Sequence, residues 1–318
     1  MNPGADAGAD AGTGVRAGAG VAGAENDLMD GTGAGLPGPL VGVEWLAERL
    51  GAPGLVVLDA SVGRHRLKGP WIPEARVFDI DGEMSQQGEA HPPHTMLAAG
   101  QFAARVRALG MDSGDRVVVY DAAGIYSSAR AWWMLRAMGF EEVAVLNGGL
   151  PAWRAAGLPV KDSYRQGPFP DGNFAAQRTP GAFVGGDEVR EALDDPETVV
   201  LDARSRGRFD GTEPEPRAGV RGGHMPGSVN LPFAHLQDAA GRMRSASELR
   251  DMFAQVAGGT ERLVVSCGSG VTACVLALGA RLAGYGGAVA VYDGSWSEWG
   301  AEGSGRGVAG AGAADLRD

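Results

Sequence analysis

The feature that most limits what this chain can become is that it repeats itself. The stretch VGVEWLAERLGAP (41–53) leads into LVVLDAS (55–61), and 143 residues further on VGGDEVREALDDP (184–196) leads into VVLDARS (199–205). Likewise DRVVVYDAAG (115–124) returns as ERLVVSCGSG (261–270), and LNGGLPAW (146–153) as YDGSWSEW (292–299), both displaced by 146. Self-similarity over about 115–120 residues signals two copies of one structural unit, each of ordinary domain size.

Within each copy, short β-rich runs alternate with helical stretches such as SARAWWMLRAMG (128–139) and TACVLALGARLAG (272–284). The runs VVVY and LVVS are apolar throughout rather than alternating, the pattern of strands buried on both faces. The expected fold is therefore α/β: two domains, each a parallel sheet flanked by helices on both faces. The expected boundaries are 40–160 for the N-terminal domain, 161–182 for a polar, Pro- and Gly-rich linker, and 183–300 for the C-terminal domain. Residues 1–39 and 301–318 hold too little apolar surface to order and are expected to be flexible tails.

Composition narrows the function. A hydrophobic fraction of 44% with 21% charged residues suits a soluble globular protein. The net charge of −11 argues against a nucleic-acid surface, which needs clustered Lys and Arg. It leaves room for a small anionic substrate held by a few local arginines. No stretch of about 18 apolar residues is present to span a bilayer, and the N-terminus lacks the apolar core of a signal peptide. A cytoplasmic protein without a membrane partner is expected. The two cysteines, Cys267 and Cys274, make neither a disulfide framework nor a zinc site of usual spacing, so no metal is expected.

The most informative stretch is RLVVSCGSGVTACVLALGARLAG. The apolar run Leu263–Val265 and Ser266 form a strand that stops at Cys267, a glycine-rich turn follows, and a helix opens near Val271 or Thr272. Cys267 thus falls at the carboxyl end of a parallel strand, where open α/β sheets place ligands. Gly268 and Gly270 let the backbone curl so that successive N–H groups turn inward. Together with the helix N-terminus, they favour a thiolate, the nucleophilic form, and equally a persulfide. Cys274 lies inside the helix and reads as core. In the first copy the place of Cys267 is taken by Asp121, and a carboxylate cannot carry sulfane sulfur. The N-terminal domain is therefore expected to be catalytically silent, burying an interdomain face and lending residues to the cleft, with Trp132 and Trp133 as core.

Six stretches carry a family resemblance over about residues 40–300: CGSGVTAC (267–274), GRFDGTEPEPRAG (207–219), GHMPGSVNLPF (223–233), YDGSWSEW (292–299), FDID (78–81) and SSARAWW (127–133). They resemble the tandem-domain rhodanese family of sulfurtransferases, and in particular its branch that uses 3-mercaptopyruvate. The resemblance implies transfer of sulfane sulfur through a Cys267 persulfide to a thiophile such as cyanide, a small thiol or reduced thioredoxin, with no cofactor. Thiosulfate-using members carry basic residues after the Cys. The loop CGSGVT is uncharged, as in the mercaptopyruvate branch, and thiosulfate stands as the runner-up donor.

By the same resemblance Arg208 and Arg217 bind the substrate's carboxylate and carbonyl oxygen, a task that suits the guanidinium fork. Gly268, Gly270, Val271 and Thr272 complete the loop around the substrate. A proton relay of Asp81, a histidine and Ser269 is also implied. Its histidine has two candidates: the family reads His-Met-Leu where this chain has HTML (94–97). Anchoring on Met96 puts Thr95 in the histidine's place, while anchoring on Phe102 restores His94. A second departure is Trp71-Ile72-Pro73-Glu74, where the family usually has His-Ile-Pro-Gly. His224-Met225-Pro226-Gly227 in the second copy reads as a turn. Three rival classes can be weighed. A cysteine phosphatase needs Cys-x5-Arg, and that position is Ala273. A Cys-His hydrolase needs His224 or His235 beside Cys267, and a non-catalytic binding module would lack the cysteine.

Overall fold

A computed structural model describes residues 35–310. The N-terminal domain contains strands β1 (Leu40–Val41), β2 (Leu55–Asp59), β3 (Arg76–Val77), β4 (Arg116–Tyr120) and β5 (Val143–Leu146). Helices α1 (Val43–Arg49), α2 (Ala99–Ala108), α3 (Ser128–Ala137) and α4 (Gly149–Ala155) connect them. The C-terminal domain repeats the series with β6 (Phe183–Val184), β7 (Thr198–Asp202), β8 (Val229–Asn230), β9 (Arg262–Ser266) and β10 (Ala288–Tyr292). Its helices are α5 (Gly186–Asp194), α6 (Arg206–Asp210), α7 (Ala246–Ala257), α8 (Ala273–Ala283) and α9 (Ser295–Trp299).

The strand orders are β1-β5-β4-β2-β3 and β6-β10-β9-β7-β8, the same order twice, and every pairing is parallel. In β4 and β9 only the first residue escapes full burial, which is why their sequences carry no polar alternation. Helix α7 starts at a reciprocal cap: the Ser245 hydroxyl accepts the Glu248 N–H, and the Glu248 carboxylate accepts the Ser245 N–H. One apolar cluster runs through both domains, joining Trp132, Met134 and Leu135 to Val265, Leu276 and Leu278. Helices α3 and α8 meet across this seam. Trp132 is buried there with its Nε1–H on the Val143 carbonyl, and Trp133 donates to the Ala182 carbonyl.

Two expectations change at the margins. Of the expected C-terminal tail, residues 301–310 are held to the domain. Ala301 pairs with Val220 and Ala309 with His224, the Trp299 indole donates to the Gly307 carbonyl, and Arg306 donates to the Gly186 carbonyl. Backbone and guanidinium hydrogen bonds fix this segment although it has little apolar surface to bury. Leu36 and Pro39, assigned to the N-terminal tail, likewise bond to Glu142 and Val145. Residues 1–34 and 311–318, where the remainder of both tails falls, lie outside the described residues. Segment 161–182 crosses the N-terminal domain as a strap: Lys161 pairs with Trp71, Arg165 N–H bonds the Ala75 carbonyl, and Phe174 is buried. Glu74 stands at φ +66 and Gly227, in the matching turn of the second copy, at φ +88. The first copy thus places a side chain where a glycine would sit without strain.

Candidate active site

Cys267 is the first residue past β9 and is 1% exposed. One side of its loop is fastened to α9. The Cys267 N–H donates to Ser295 Oγ at 3.1 Å, the Cys267 carbonyl accepts the Trp296 N–H at 2.9 Å, and the Gly268 carbonyl accepts the Ser297 hydroxyl at 2.6 Å. On the other side, the N–H groups of Gly268 through Thr272 find no acceptor among the described residues. Gly270 holds φ +75, and a Cβ there would come within 2.7 Å of the Asp293 carbonyl. The turn has room only for glycine. Cys274 is fully buried in α8, its thiol donates to the Gly270 carbonyl, and burial pushes its pKa up to about 12.

The first copy displays what this loop can hold. Asp121 follows β4 as Cys267 follows β9. Its Oδ2 accepts the N–H groups of Tyr126, Ser127 and Ser128 at 2.8, 3.0 and 2.8 Å, and its Oδ1 accepts that of Ala123 at 2.9 Å. The strand-to-helix turn is thus an anion cradle, filled in this copy by the protein's own carboxylate.

Asp81 and His94 arrive from the N-terminal domain, on the segment between β3 and α2. His94 Nε2 lies 2.8 Å from Asp81 Oδ1, and Nδ1 lies 3.0 Å from Ser269 Oγ. His94, not Thr95, is the histidine that meets Ser269; the Thr95 hydroxyl turns back to the Pro92 carbonyl. Burial works to raise the Asp81 pKa, but hydrogen bonds from His94 and from the Gly63 N–H outweigh it, so the carboxyl lies below its ordinary range. A carboxylate only accepts, which places a proton on His94 Nε2 and, in the neutral ring, leaves Nδ1 to accept from the Ser269 hydroxyl. Asp81, His94 and Ser269 are therefore one hydrogen-bonded chain ending beside Cys267.

Arg208, on α6, approaches the loop so closely that a Cβ on Gly268 would lie 2.9 Å from its Nη2. Glu215 holds it from the far side, 2.5 Å from Nη2, and also accepts from the buried Arg204 at 2.8 Å. Burial works against the Arg208 charge, but Glu215 and the neighbouring Cys267 sulfur outweigh it and raise the guanidinium's pKa. Arg217 is exposed and reaches Ser297 Oγ at 3.4 Å, the hydroxyl that grips Gly268. Both arginines thus border the same edge of the loop. Tyr126, from the N-terminal domain, shares the field of Cys267, Arg208 and Arg217. Val271 and Thr272 are buried in the turn. His224 stacks on Phe209 and bonds its carbonyl, and His235 is exposed; neither contacts Cys267.

Beneath the loop lies an ion pair that the sequence did not single out. Arg130 of α3 is fully buried and bonds Asp293, which follows β10, at 2.7 Å across the domain seam. Arg130 and Asp293, like Ser295 and Glu215, stand inside the quoted stretches SSARAWW, YDGSWSEW and GRFDGTEPEPRAG. A single charge in the otherwise apolar run ARAWWML was the available signal.

Two doubly flanked parallel sheets, with a cysteine-bearing cradle completed by the partner domain, define a tandem rhodanese-fold protein. The Rhodanese-like domain family matches residues 42–156 and 186–302. Human 3-mercaptopyruvate sulfurtransferase is 40% identical over 275 residues, covering 82% of this chain and 91% of its own length. Bovine thiosulfate sulfurtransferase is also 40% identical, over 276 residues with the same coverage. The crystal structure of a 3-mercaptopyruvate sulfotransferase from Escherichia coli superposes with a TM-score of 0.70 at 33% identity, covering 82% of this chain and 99% of that one. The chain belongs to the rhodanese family and is a sulfurtransferase enzyme. Among the described residues no helix is long and apolar enough to cross a membrane.

Proposed function

We propose that the enzyme moves sulfane sulfur from 3-mercaptopyruvate to a thiophilic acceptor by a ping-pong route through a Cys267 persulfide. The Cys267 thiolate attacks the donor's sulfur and the S–S bond forms as the C–S bond breaks. The released electron pair becomes the enolate of pyruvate, which takes a proton at carbon. Arg208 and Arg217 hold the carboxylate and carbonyl oxygen while the chain Asp81–His94–Ser269 takes up the donor's own S–H proton and passes it to the enolate carbon, so that the persulfide is left as its anion. An acceptor thiolate or cyanide then attacks the outer sulfur and Cys267 leaves as thiolate. Reduced thioredoxin is an acceptor of the right chemistry. Both cysteines are free, which fits a reducing, cytoplasmic setting.

The observation that carries the donor assignment is the hydrogen-bonded Ser269–His94–Asp81 chain beside an uncharged loop. Thiosulfate leaves as sulfite and calls for no carbon protonation, whereas an enolate does. Asp121 supports the persulfide: its carboxylate oxygens stand two bonds beyond Cβ, as a persulfide's outer sulfur does, and four N–H groups meet them. The bovine relative shows that overall identity does not separate the donors. The test compares pyruvate release from 3-mercaptopyruvate with thiocyanate formation from thiosulfate and cyanide, in the wild type and in Cys267→Ser. Preference for mercaptopyruvate and loss of both activities in the variant are expected. A clear preference for thiosulfate refutes the donor, and full activity in the variant refutes the site.

A further inference from the structure

Comparing the two sides of the domain seam isolates what is special to the one with the cysteine. On the silent side, Asn147 Oδ1 accepts the Met243 N–H of the C-terminal domain at 3.0 Å. On the Cys267 side, Asp293, the repeat equivalent of Asn147, accepts the Met96 N–H of the N-terminal domain at 2.8 Å. The same cross-domain clasp therefore exists twice, and its silent copy works without charge. The repeat equivalent of Arg130 is Leu276, buried and apolar. The fold itself needs no ion pair at this place; it carries one only under the cysteine loop.

We propose that Arg130, paired with Asp293, is the positioning residue that keeps His94 in register with Ser269; the proposal rests on the relay described under the proposed function. Besides its 2.7 Å contact with Asp293, the guanidinium donates to the His94 carbonyl at 2.7 Å and to the Gly270 carbonyl at 3.2 Å. One rigid fork thus ties the histidine's backbone to the loop that bears Ser269. Asp293 takes the same segment two residues on, so His94 is gripped on both sides of Thr95. His94 stands at φ +65, a conformation that a residue with a side chain keeps only where its surroundings impose it. Asp293 also lies two residues before Ser295, which anchors the Cys267 N–H. Arg130 packs over Phe183, 4.5 Å from the ring centroid, and has no exposure through which water could substitute for these bonds.

The decisive variant transplants the silent side: Arg130→Leu together with Asp293→Asn. It leaves no unpaired buried charge and copies a pair that this fold already tolerates. With 3-mercaptopyruvate as donor, kcat for pyruvate release is expected to fall at least about 10-fold while KM moves less than about 3-fold, because positioning rather than binding is lost. Adding His94→Ala should cost nothing beyond what His94→Ala costs alone, since both changes disable one device. If the double variant does not fold, Arg130→Lys carries the same test: lysine keeps the charge opposite Asp293 but cannot span both carbonyls. An unchanged kcat, or losses that multiply with that of His94→Ala, overturns the proposal. A His94→Ala enzyme of full activity overturns the relay and this inference together. A wild type that releases no pyruvate refutes the donor reading instead.

Discussion

Asp59, at the end of β2, is 4% exposed and lies near the Asp121 loop. Burial pushes its pKa up to about 6 from 3.8; hydrogen bonds from Ser61 oppose this and the Asp121 charge reinforces it. A carboxyl whose folded-state value is raised stabilises the fold fully below its unfolded pKa, and that contribution is lost as pH rises through the folded one. A rise of about 2 units corresponds to about 3 kcal/mol, of which about 2 kcal/mol falls between about pH 4.5 and 7.5. Asp59→Asn keeps an oxygen for the Ser61 N–H and hydroxyl but cannot ionise. The variant should therefore gain on the wild type by about 2 kcal/mol across that interval, irrespective of its offset at the acid end. Urea unfolding followed by tryptophan fluorescence, with matched m-values, measures the difference at each pH. Two parallel pH profiles would refute the reasoning, because they would show that Asp59 ionises as easily in the fold as outside it.

Cys274, neutral near pH 7 because burial pushes it up to about 12, should carry no sulfur. After exposure to donor, Cys274→Ser should retain about one cyanide-labile sulfur per chain and Cys267→Ser none; the reverse distribution would move the site. Arg208→Lys leaves a point charge where a fork stood. It should raise KM for 3-mercaptopyruvate at least about 10-fold in steady-state assays, with an unchanged KM removing Arg208 from the substrate site.

The sheets were legible because their central strands are apolar without interruption, and the duplication was legible because Asp121 stands where Cys267 does. The choice between His94 and Thr95 was not, since one inserted residue lets two alignments stand. In the structure the His94 ring meets Ser269 Oγ at 3.0 Å from a left-handed turn, which no spacing rule encodes. The Arg130–Asp293 pair spans 163 residues, so neither partner leaves a local pattern; only the oddity of a charge in an apolar helix pointed to it. Segment 301–310 misled for a different reason. Its order comes from backbone bonds to Val220 and His224 and from Arg306, contributions that hydrophobicity does not report.

The duplication also bears on the proposed Cys267 persulfide. In the first copy the N–H groups of the turn converge on Asp121, and unpaired buried N–H groups cost free energy. The first copy offsets that cost through the Asp121 carboxylate. In the second copy the Cys267 thiol ends one bond nearer Cβ than the Asp121 oxygens do, and the N–H groups of Gly268 through Thr272 have no protein acceptor among the described residues. Adding one sulfur extends the side chain to the reach of Asp121 and places negative charge in the cradle. Each charge-assisted bond formed then contributes about 1.5–3 kcal/mol that the free thiol did not enjoy. On the proposed persulfide route, such a cradle stabilises the persulfide more than the thiol. Asp81, His94 and Arg130 of the N-terminal domain reach the Cys267 loop from outside that loop's own domain.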